Sequence, residues 1–229
     1  MPPDLPHLGA AFAGQGAGSE VPPWVGREAL ALCHAERAAV SVDALTARRP
    51  DVDLLDAYRI QWAGTALRMA GGARPIGHKV GLTSEAMRQQ TGIDGPDSGI
   101  LLDYMAVPSG GTVDTIALVS PLVETEFAFG LGKDLAGREV DVAAARAAVS
   151  EVMVALEVID TRYRGRQLTL ADSIADNAAC ARIVTGPAVP FRPGLQLPER
   201  LLTLGIGGTP GRLRRAARSS ATHSRPWRG

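Results

Sequence analysis

The segment Leu122–Leu131 reads Leu-Val-Glu-Thr-Glu-Phe-Ala-Phe-Gly-Leu and holds the residue types best suited to chemistry. Side chains alternate faces along a strand. One face carries Val123, Thr125, Phe127, Phe129 and Leu131, an apolar surface expected to pack into the core. The other carries Leu122, Glu124, Glu126, Ala128 and Gly130. Neighbouring carboxylates repel, so such a pair calls for solvent, a shared proton or a cation. Oxygen donors suit a hard divalent ion such as Mg²⁺. For the pair alone, a solvated sheet face is the simpler reading.

Glu157 adds a third carboxylate. It lies within Val-Ala-Leu-Glu-Val-Ile, a run apolar on both sides. Burial there is costly unless the group is paired or bound to a cation, and the competing reading is an edge residue facing water. A fourth feature is Gly77-His78-Lys79-Val80-Gly81-Leu82-Thr83, where glycines allow close approach of a backbone or ligand. Lys79 can present an ammonium to an anionic or enolate substrate, or be an ordinary surface lysine. His78 points to the opposite face and reads as structural. Asp94-Gly95-Pro96-Asp97-Ser98-Gly99 reads first as a turn. Held near Lys79, a carboxylate on such a turn would make an acid–base partner. Asp172 and Asp176-Asn177 read as turn or cap residues.

The elements that must position these groups follow from local pattern. Arg27 to about Val40 reads as a helix. A second begins near Asp53, with Leu55, Tyr58, Trp62 and Met69 tracing one helical face, and ends at Gly71-Gly72. Ile76–Leu82 reads as a strand. Ser84 is placed to cap a short helix over Glu85–Thr91, closed by Gly92. Strands are expected at Ile100–Val107 and Leu122–Leu131. Asp141 caps an Ala/Val helix running through Val152, followed by strands at Val154–Ile159 and Ala181–Val184. The order predicts an α+β fold, a helical N-terminal region on a strand-rich body. The boundaries are a loose arm over 1–25, helices over 26–72, a body over 73–204 and a distinct tail over 205–229.

Composition sets the class. The 229 residues suffice for a real core, and Lys+Arg and Asp+Glu balance at 24 each, so no polyanion partner is implied. Lys79 and Lys133 are the only lysines among those basic residues. Cys33 and Cys180 provide neither a disulfide framework nor metal-ligand spacing and read as core packing in a reducing compartment. No signal-peptide pattern or run of transmembrane length is seen, so a cytoplasmic protein with no membrane and no nucleic-acid partner is expected.

Several motifs occur in a recognisable order: Gly-His-Lys-Val-Gly-Leu-Thr-Ser at 77–84, Pro-Asp-Ser-Gly at 96–99, Glu-Thr-Glu at 124–126, Leu-Glu-Val-Ile-Asp-Thr-Arg at 156–162 and Ile-Ala-Asp-Asn-Ala at 174–178. From about Ala29 to Leu204 the chain resembles the 2-keto-4-pentenoate hydratase / 4-oxalocrotonate decarboxylase family, of the fumarylacetoacetate-hydrolase-like fold. The resemblance implies that Glu124, Glu126 and Glu157 ligate Mg²⁺ or Mn²⁺ and that Lys79 and Asp97 are the acid–base residues. It implies a small 2-oxo or 2-hydroxydienoate acid as substrate. A homo-oligomer is implied too, with a sequential enzyme of aromatic meta-cleavage catabolism as a further partner.

Within the family, hydration of 2-hydroxypenta-2,4-dienoate is the expected activity. Asp97 and the Lys79 run resemble hydratases. Asp103–Gly111 and Arg162-Tyr163 resemble decarboxylases, which makes 4-oxalocrotonate decarboxylation the alternative; an inactive assembly partner is a third reading. One departure is Ala179, where the family often has serine. After Leu204 the resemblance stops, and residues 211–229 form a basic tail. Residues 219–229, written in GC-rich codons and read from the third base, become Leu-Gly-Asp-Pro-Leu-Ala-Ala-Val-Ala-Trp, which resembles a family segment. A frameshift is therefore expected. It would leave an apolar sheet edge uncovered and the product poorly stable or inactive.

Overall fold

The computed structural model describes residues 21–215 except 84, 94, 137–139, 166, 193, 196, 198–200 and 208. Most of the expected arm, the Ser84 cap and the tail beyond residue 215 lie outside these residues.

Helix α1 spans Pro23–Ala38. It starts earlier than Arg27 because Pro23 fits the first turn, where no N–H is needed. It stops short of Val40 because Ala39 turns left-handed, with φ of 50°. A short α2, Leu45–Arg48, precedes α3, Leu54–Ala70. Asp53, near which this helix was expected to begin, caps α3, its Oδ1 accepting the Asp56 N–H at 2.8 Å.

Of the four large residues that trace one face of α3, Tyr58 packs against the core and the other three do not. Leu55, Trp62 and Met69 are 51%, 41% and 46% exposed. Ala57, Ile60 and Ala63 are buried instead, packed with Val25, Ala29 and Leu32 of α1. Small residues on both helices let their backbones approach, and that close fit outweighs burial of the bulkier stripe. Ala171, Ile174 and Ala175 of α6, Leu170–Ala175, complete this core.

Strand β1, Pro75–Gly81, pairs antiparallel with β2, Asp97–Leu102. Asp97 therefore opens a strand and is not part of a free turn, since Gly81 pairs with it and Lys79 pairs with Gly99. Helix α4, Glu85–Thr91, lies between them as expected. The single strand expected over Ile100–Val107 is broken by a 3₁₀ turn at Asp103–Met105 before β3, Ala106–Val107. The Asp103 carboxylate makes the turn, accepting the N–H groups of Arg74 and Tyr104, each at 3.0 Å.

Strand β4 occupies Leu122–Leu131 as expected. Helix α5 is only Val142–Ala148, capped by Asp141, and β5 runs over Val149–Ile159. The helix expected to reach Val152 is cut short because β5 begins at Val149 and takes Val149, Val152 and Val154 into the sheet. Strands β6, Cys180–Thr185, and β7, Val189–Pro190, complete a five-stranded sheet of order β3-β6-β5-β4, with β7 against β5. A hairpin of β8, Leu201–Ile206, and β9, Thr209–Arg215, follows.

The apolar face of β4 is not a closed core surface. Val123, Phe129 and Leu131 are 49%, 48% and 55% exposed. β4 ends the sheet order, and Phe191 is the aromatic neighbour that meets Phe129, edge-on with centroids 6.3 Å apart. The chain divides into two compact units. The first comprises the described residues up to Ala106 with Thr112–Leu122 and Val158–Arg182. The second comprises Val107–Gly111, Val123–Glu157 and the described residues from Ile183 onward.

Candidate metal centre and acid–base pair

The three glutamates singled out in the sequence all fall in the second unit, and the fold brings them together. Glu124 and Glu126 share one face of β4 through the two-residue strand period, and Glu157 comes from β5, the neighbouring strand. One carboxylate oxygen from each lies within 4.8 Å of the others. Ligand oxygens on opposite sides of one Mg²⁺ or Ca²⁺ stand about 4–5 Å apart, given metal–oxygen distances near 2.1 or 2.4 Å. The donor set is all carboxylate oxygen, the hard chemistry these ions prefer, so the residues fit such a group.

Exposure differs within the trio. Glu157 is 2% exposed, while Glu124 and Glu126 are half-buried. A cation held there would have one ligand fixed in the sheet interior and two on an accessible side, which leaves coordination positions for water or a small acid. Of the two readings open for Glu157, burial among apolar neighbours is the one the fold provides, and the edge reading is excluded.

Lys79 and Asp97 belong to the first unit and are likewise brought together. The register sets Asp97 directly across from Gly81, two residues along from Lys79 on the same face of β1. A Cβ on Gly81 would lie 2.3 Å from Asp97 Oδ1 and 3.3 Å from Lys79 Nζ. Glycine at 81 is what lets the carboxylate and the ammonium occupy the same small space. Asp97 is 4% exposed and Lys79 half-buried. His78 faces away and is exposed.

Asp97 is held from behind by a residue the sequence reading did not single out. Ser173 of α6 donates its hydroxyl to Asp97 Oδ2 at 2.5 Å. Two amides brace the elements that carry this pair. Gln61 Nε2 donates to the carbonyls of Ser98 at 2.7 Å and Ile174 at 2.9 Å, linking β2 to α6. The Asn177 amide holds the Ile100 backbone. Gly99 admits this contact, because a Cβ there would sit 2.5 Å from the Asn177 carbonyl oxygen. The serine directly before Ile-Ala-Asp-Asn was the available signal, but its partner lies 76 positions away in sequence.

Asp172 and Asp176 are cap residues of α6, one of the two readings given for them, and each also has buried partners of its own. Asp172 is fully buried and accepts hydrogen bonds from Thr46 and Thr169, fixing α6. Asp176 forms a buried ion pair with Arg162 at 2.6 Å. Cys33 and Cys180 are both buried, and among the described residues neither forms a disulfide, as expected of packing residues.

No protein-family model matches the chain. Among curated proteins it is 38% identical to the 4-oxalocrotonate decarboxylase of Pseudomonas sp. (strain CF600), over 69% of this chain and 62% of that protein. It is 39% identical to a 2-hydroxypent-2,4-dienoate hydratase of Pseudomonas putida, over 64% of this chain and 66% of that protein. Among solved structures, 4-oxalocrotonate decarboxylase from Pseudomonas putida G7, complexed with magnesium and adipate, superposes with a TM-score of 0.77. That match has 30% identity and covers 84% of this chain and 73% of that one.

The chain belongs to the 2-keto-4-pentenoate hydratase / 4-oxalocrotonate decarboxylase family.

Its mixed sheet with flanking helices is that family's fold, and hydratases and decarboxylases stand at similar distance from it. The chain spans less than two thirds of the length of the first curated relatives it matches. Among the described residues no helix is long and apolar enough to cross a membrane.

Proposed function

We propose that the chain is a metal-dependent hydro-lyase that converts 2-hydroxypenta-2,4-dienoate to 4-hydroxy-2-oxopentanoate. The observation that carries this reading is the convergence of Glu124, Glu126 and Glu157 within 4.8 Å, in a chain of this family. These three residues would hold Mg²⁺, with Mn²⁺ as the other candidate. The magnesium in the related decarboxylase structure supports a divalent ion. When bound, such an ion supplies Lewis-acid stabilisation of the negative charge that builds on a 2-oxo acid as protons move.

The protein's own residues do the rest. The substrate dienol must first lose its 2-hydroxyl proton and gain one at C5, giving 2-oxopent-3-enoate. Water then adds its oxygen at C4 while a proton is delivered to C3. Lys79 steadies the oxygen that turns anionic during each transfer. Asp97 takes a proton from the enol or from water and returns one to carbon. Its burial beside an ammonium fits that task, because a carboxylate sheltered from bulk solvent exchanges protons with its neighbours and not with water at large.

The alternative is decarboxylation of 4-oxalocrotonate, in which the C–C bond to the departing carboxylate breaks and its electron pair passes into the 2-oxo system as the enol. It is favoured by one observation, the superposition on 4-oxalocrotonate decarboxylase with a TM-score of 0.77. The hydratase reading is preferred because addition of water requires a relay such as Asp97 with Lys79. We also place the protein in the cytoplasm, where Cys33 and Cys180 remain reduced. It would act there as a homo-oligomer, for which the exposed apolar residues of β4 provide surface.

An ultraviolet assay with Mg²⁺ tests the reading by comparing the two substrates. Loss of the 2-hydroxydienoate chromophore without CO₂ release is the expected result. CO₂ release from 4-oxalocrotonate would move the assignment to decarboxylase. A folded, metal-binding protein silent on both would be an inactive assembly partner.

A further inference from the structure

We propose that Ser173 is a positioning residue for Asp97, selecting which carboxylate oxygen carries the proton. The inference rests on the acid–base role of Asp97 proposed above. Ser173 Oγ donates to Asp97 Oδ2 at 2.5 Å, a short contact. The other oxygen, Oδ1, is buried, and among the described residues no hydrogen bond reaches it. Oδ1 is also the oxygen that lines the space beside Gly81, together with Lys79 Nζ. The two oxygens therefore have different environments: one is occupied by a fixed donor and the other is left facing the ammonium.

A carboxylate that rotates between turnovers offers either oxygen to the proton, so a fixed one transfers it along a single path. An isolated aspartate has a broad, nearly two-fold torsion about its last bond, so its oxygens interchange readily. The Ser173 hydroxyl breaks that symmetry. It can do so because it sits on a rigid support. Helix α6 is closed at its start by the reciprocal Thr169–Asp172 cap, and Asp172 is further held by the N–H and hydroxyl of Thr46 at 2.9 and 2.7 Å. Gln61 and Asn177 fasten the same region to β2. Ser173 and Asp97 are thus fixed on two elements braced against each other, the arrangement that precise proton transfer requires. Other hydroxyls near the buried carboxylates serve Asp172 and Asp176, so the contact is not a general feature of this polar region.

The test compares the full chain with Ser173→Ala, Ser173→Thr and Asp97→Asn. Steady-state rates with Mg²⁺ and the 2-hydroxydienoate are measured beside proton NMR of the hydroxyl region. In Ser173→Ala, kcat is expected to fall about tenfold or more with KM little changed, as for loss of a hydrogen bond to a charged group that acts in the transition state. Ser173→Thr, which keeps the hydroxyl, should recover most of the rate. A slowly exchanging hydroxyl resonance is expected in the wild type and absent from Ser173→Ala. Unchanged kcat in Ser173→Ala, while Asp97→Asn is impaired, overturns the proposal and leaves the role of Asp97 standing. Equal losses in the Ala and Thr variants, accompanied by a lower melting temperature, also overturn it, in favour of packing. Full activity in Asp97→Asn overturns the acid–base reading and the proposal with it. In a preparation without turnover the spectrum decides: the protected resonance supports the contact, and its absence sinks it.

Discussion

Asn177 and Ile100 form a strand pair in which one partner is a side chain. Asn177 Oδ1 accepts the Ile100 N–H at 2.7 Å, and its Nδ2 donates to the Ile100 carbonyl at 2.9 Å. The amide thereby satisfies both backbone groups of a buried residue in β2. Asn177, Ala178 and Ala179 all adopt left-handed backbone, with φ of 55°, 52° and 54°. That conformation costs about 1–2 kcal/mol per residue, so the surrounding bonds must over-determine it. Asn177→Ala is expected to lower stability by about 2–4 kcal/mol, because two buried backbone groups lose their partner. Chemical denaturation measures it. A loss under 0.5 kcal/mol would mean that water replaces the amide.

Removing any of the clustered glutamates should abolish metal-induced stabilisation. A bound ion raises stability by about 2.7 kcal/mol at a hundredfold excess over its dissociation constant. The melting temperature of the wild type should therefore rise with added Mg²⁺ or Mn²⁺. Glu157→Gln should remove that rise, and calorimetric titration should then show no binding. Retained binding in Glu157→Gln would exclude the trio as the ligand set.

Gly81→Ala places a Cβ 2.3 Å from Asp97 Oδ1, well inside contact distance. Gly81 has ordinary backbone geometry for any residue, so the strand itself tolerates alanine and the carboxylate must move. A displacement of this order costs about 100-fold in rate. The expected outcome is a kcat loss of that size with a melting temperature shifted by only a few degrees. Activity near the wild-type level would show that the position of Asp97 is not critical.

Glu36 of α1 should make the first unit sensitive to acid. Burial alone would push its carboxyl up. The Arg68 and Arg162 guanidinium groups, with hydrogen bonds from Arg68 and the Tyr104 hydroxyl, outweigh burial and hold it below the ordinary value of 4.5. A carboxyl with a depressed folded-state pKa stabilises above its unfolded value, and that stability is lost as pH falls through the folded value. Thermal melts of the wild type and Glu36→Gln should differ at neutral pH and converge below pH 4.5. A gap that persists into stronger acid would show that the pair acts by shape and not by charge.

Much of the fold and the candidate site was legible in the chain because it depends on short-range pattern. The two-residue period of Leu122–Leu131 places Glu124 and Glu126 side by side, and the structure has that strand with the same bounds. Asp141 announced its helix because a cap acts on the next turn. Glu157 was marked by apolar neighbours, and it is buried.

What pattern misjudged was competition between elements. Leu55, Trp62 and Met69 mark a helical face, but α1 and α3 pack through Ala29, Ala57 and Ala63, because smaller side chains allow closer backbones. The Ala/Val pattern of α5 runs on past Ala148, yet the sheet takes the valines from Val149 onward.

The amino-acid sequence by itself determined the family, the identity of the acidic and basic groups, and which carboxylates can stand on one strand. Tertiary structure alone decided that Glu157 meets Glu124 and Glu126, that Gly81 gives Asp97 and Lys79 a common space, and that Ser173 grips one oxygen of Asp97. The reason is range. Strand alternation and caps are set by residues a few positions apart, whereas these contacts join residues brought together only when helices and sheets have packed.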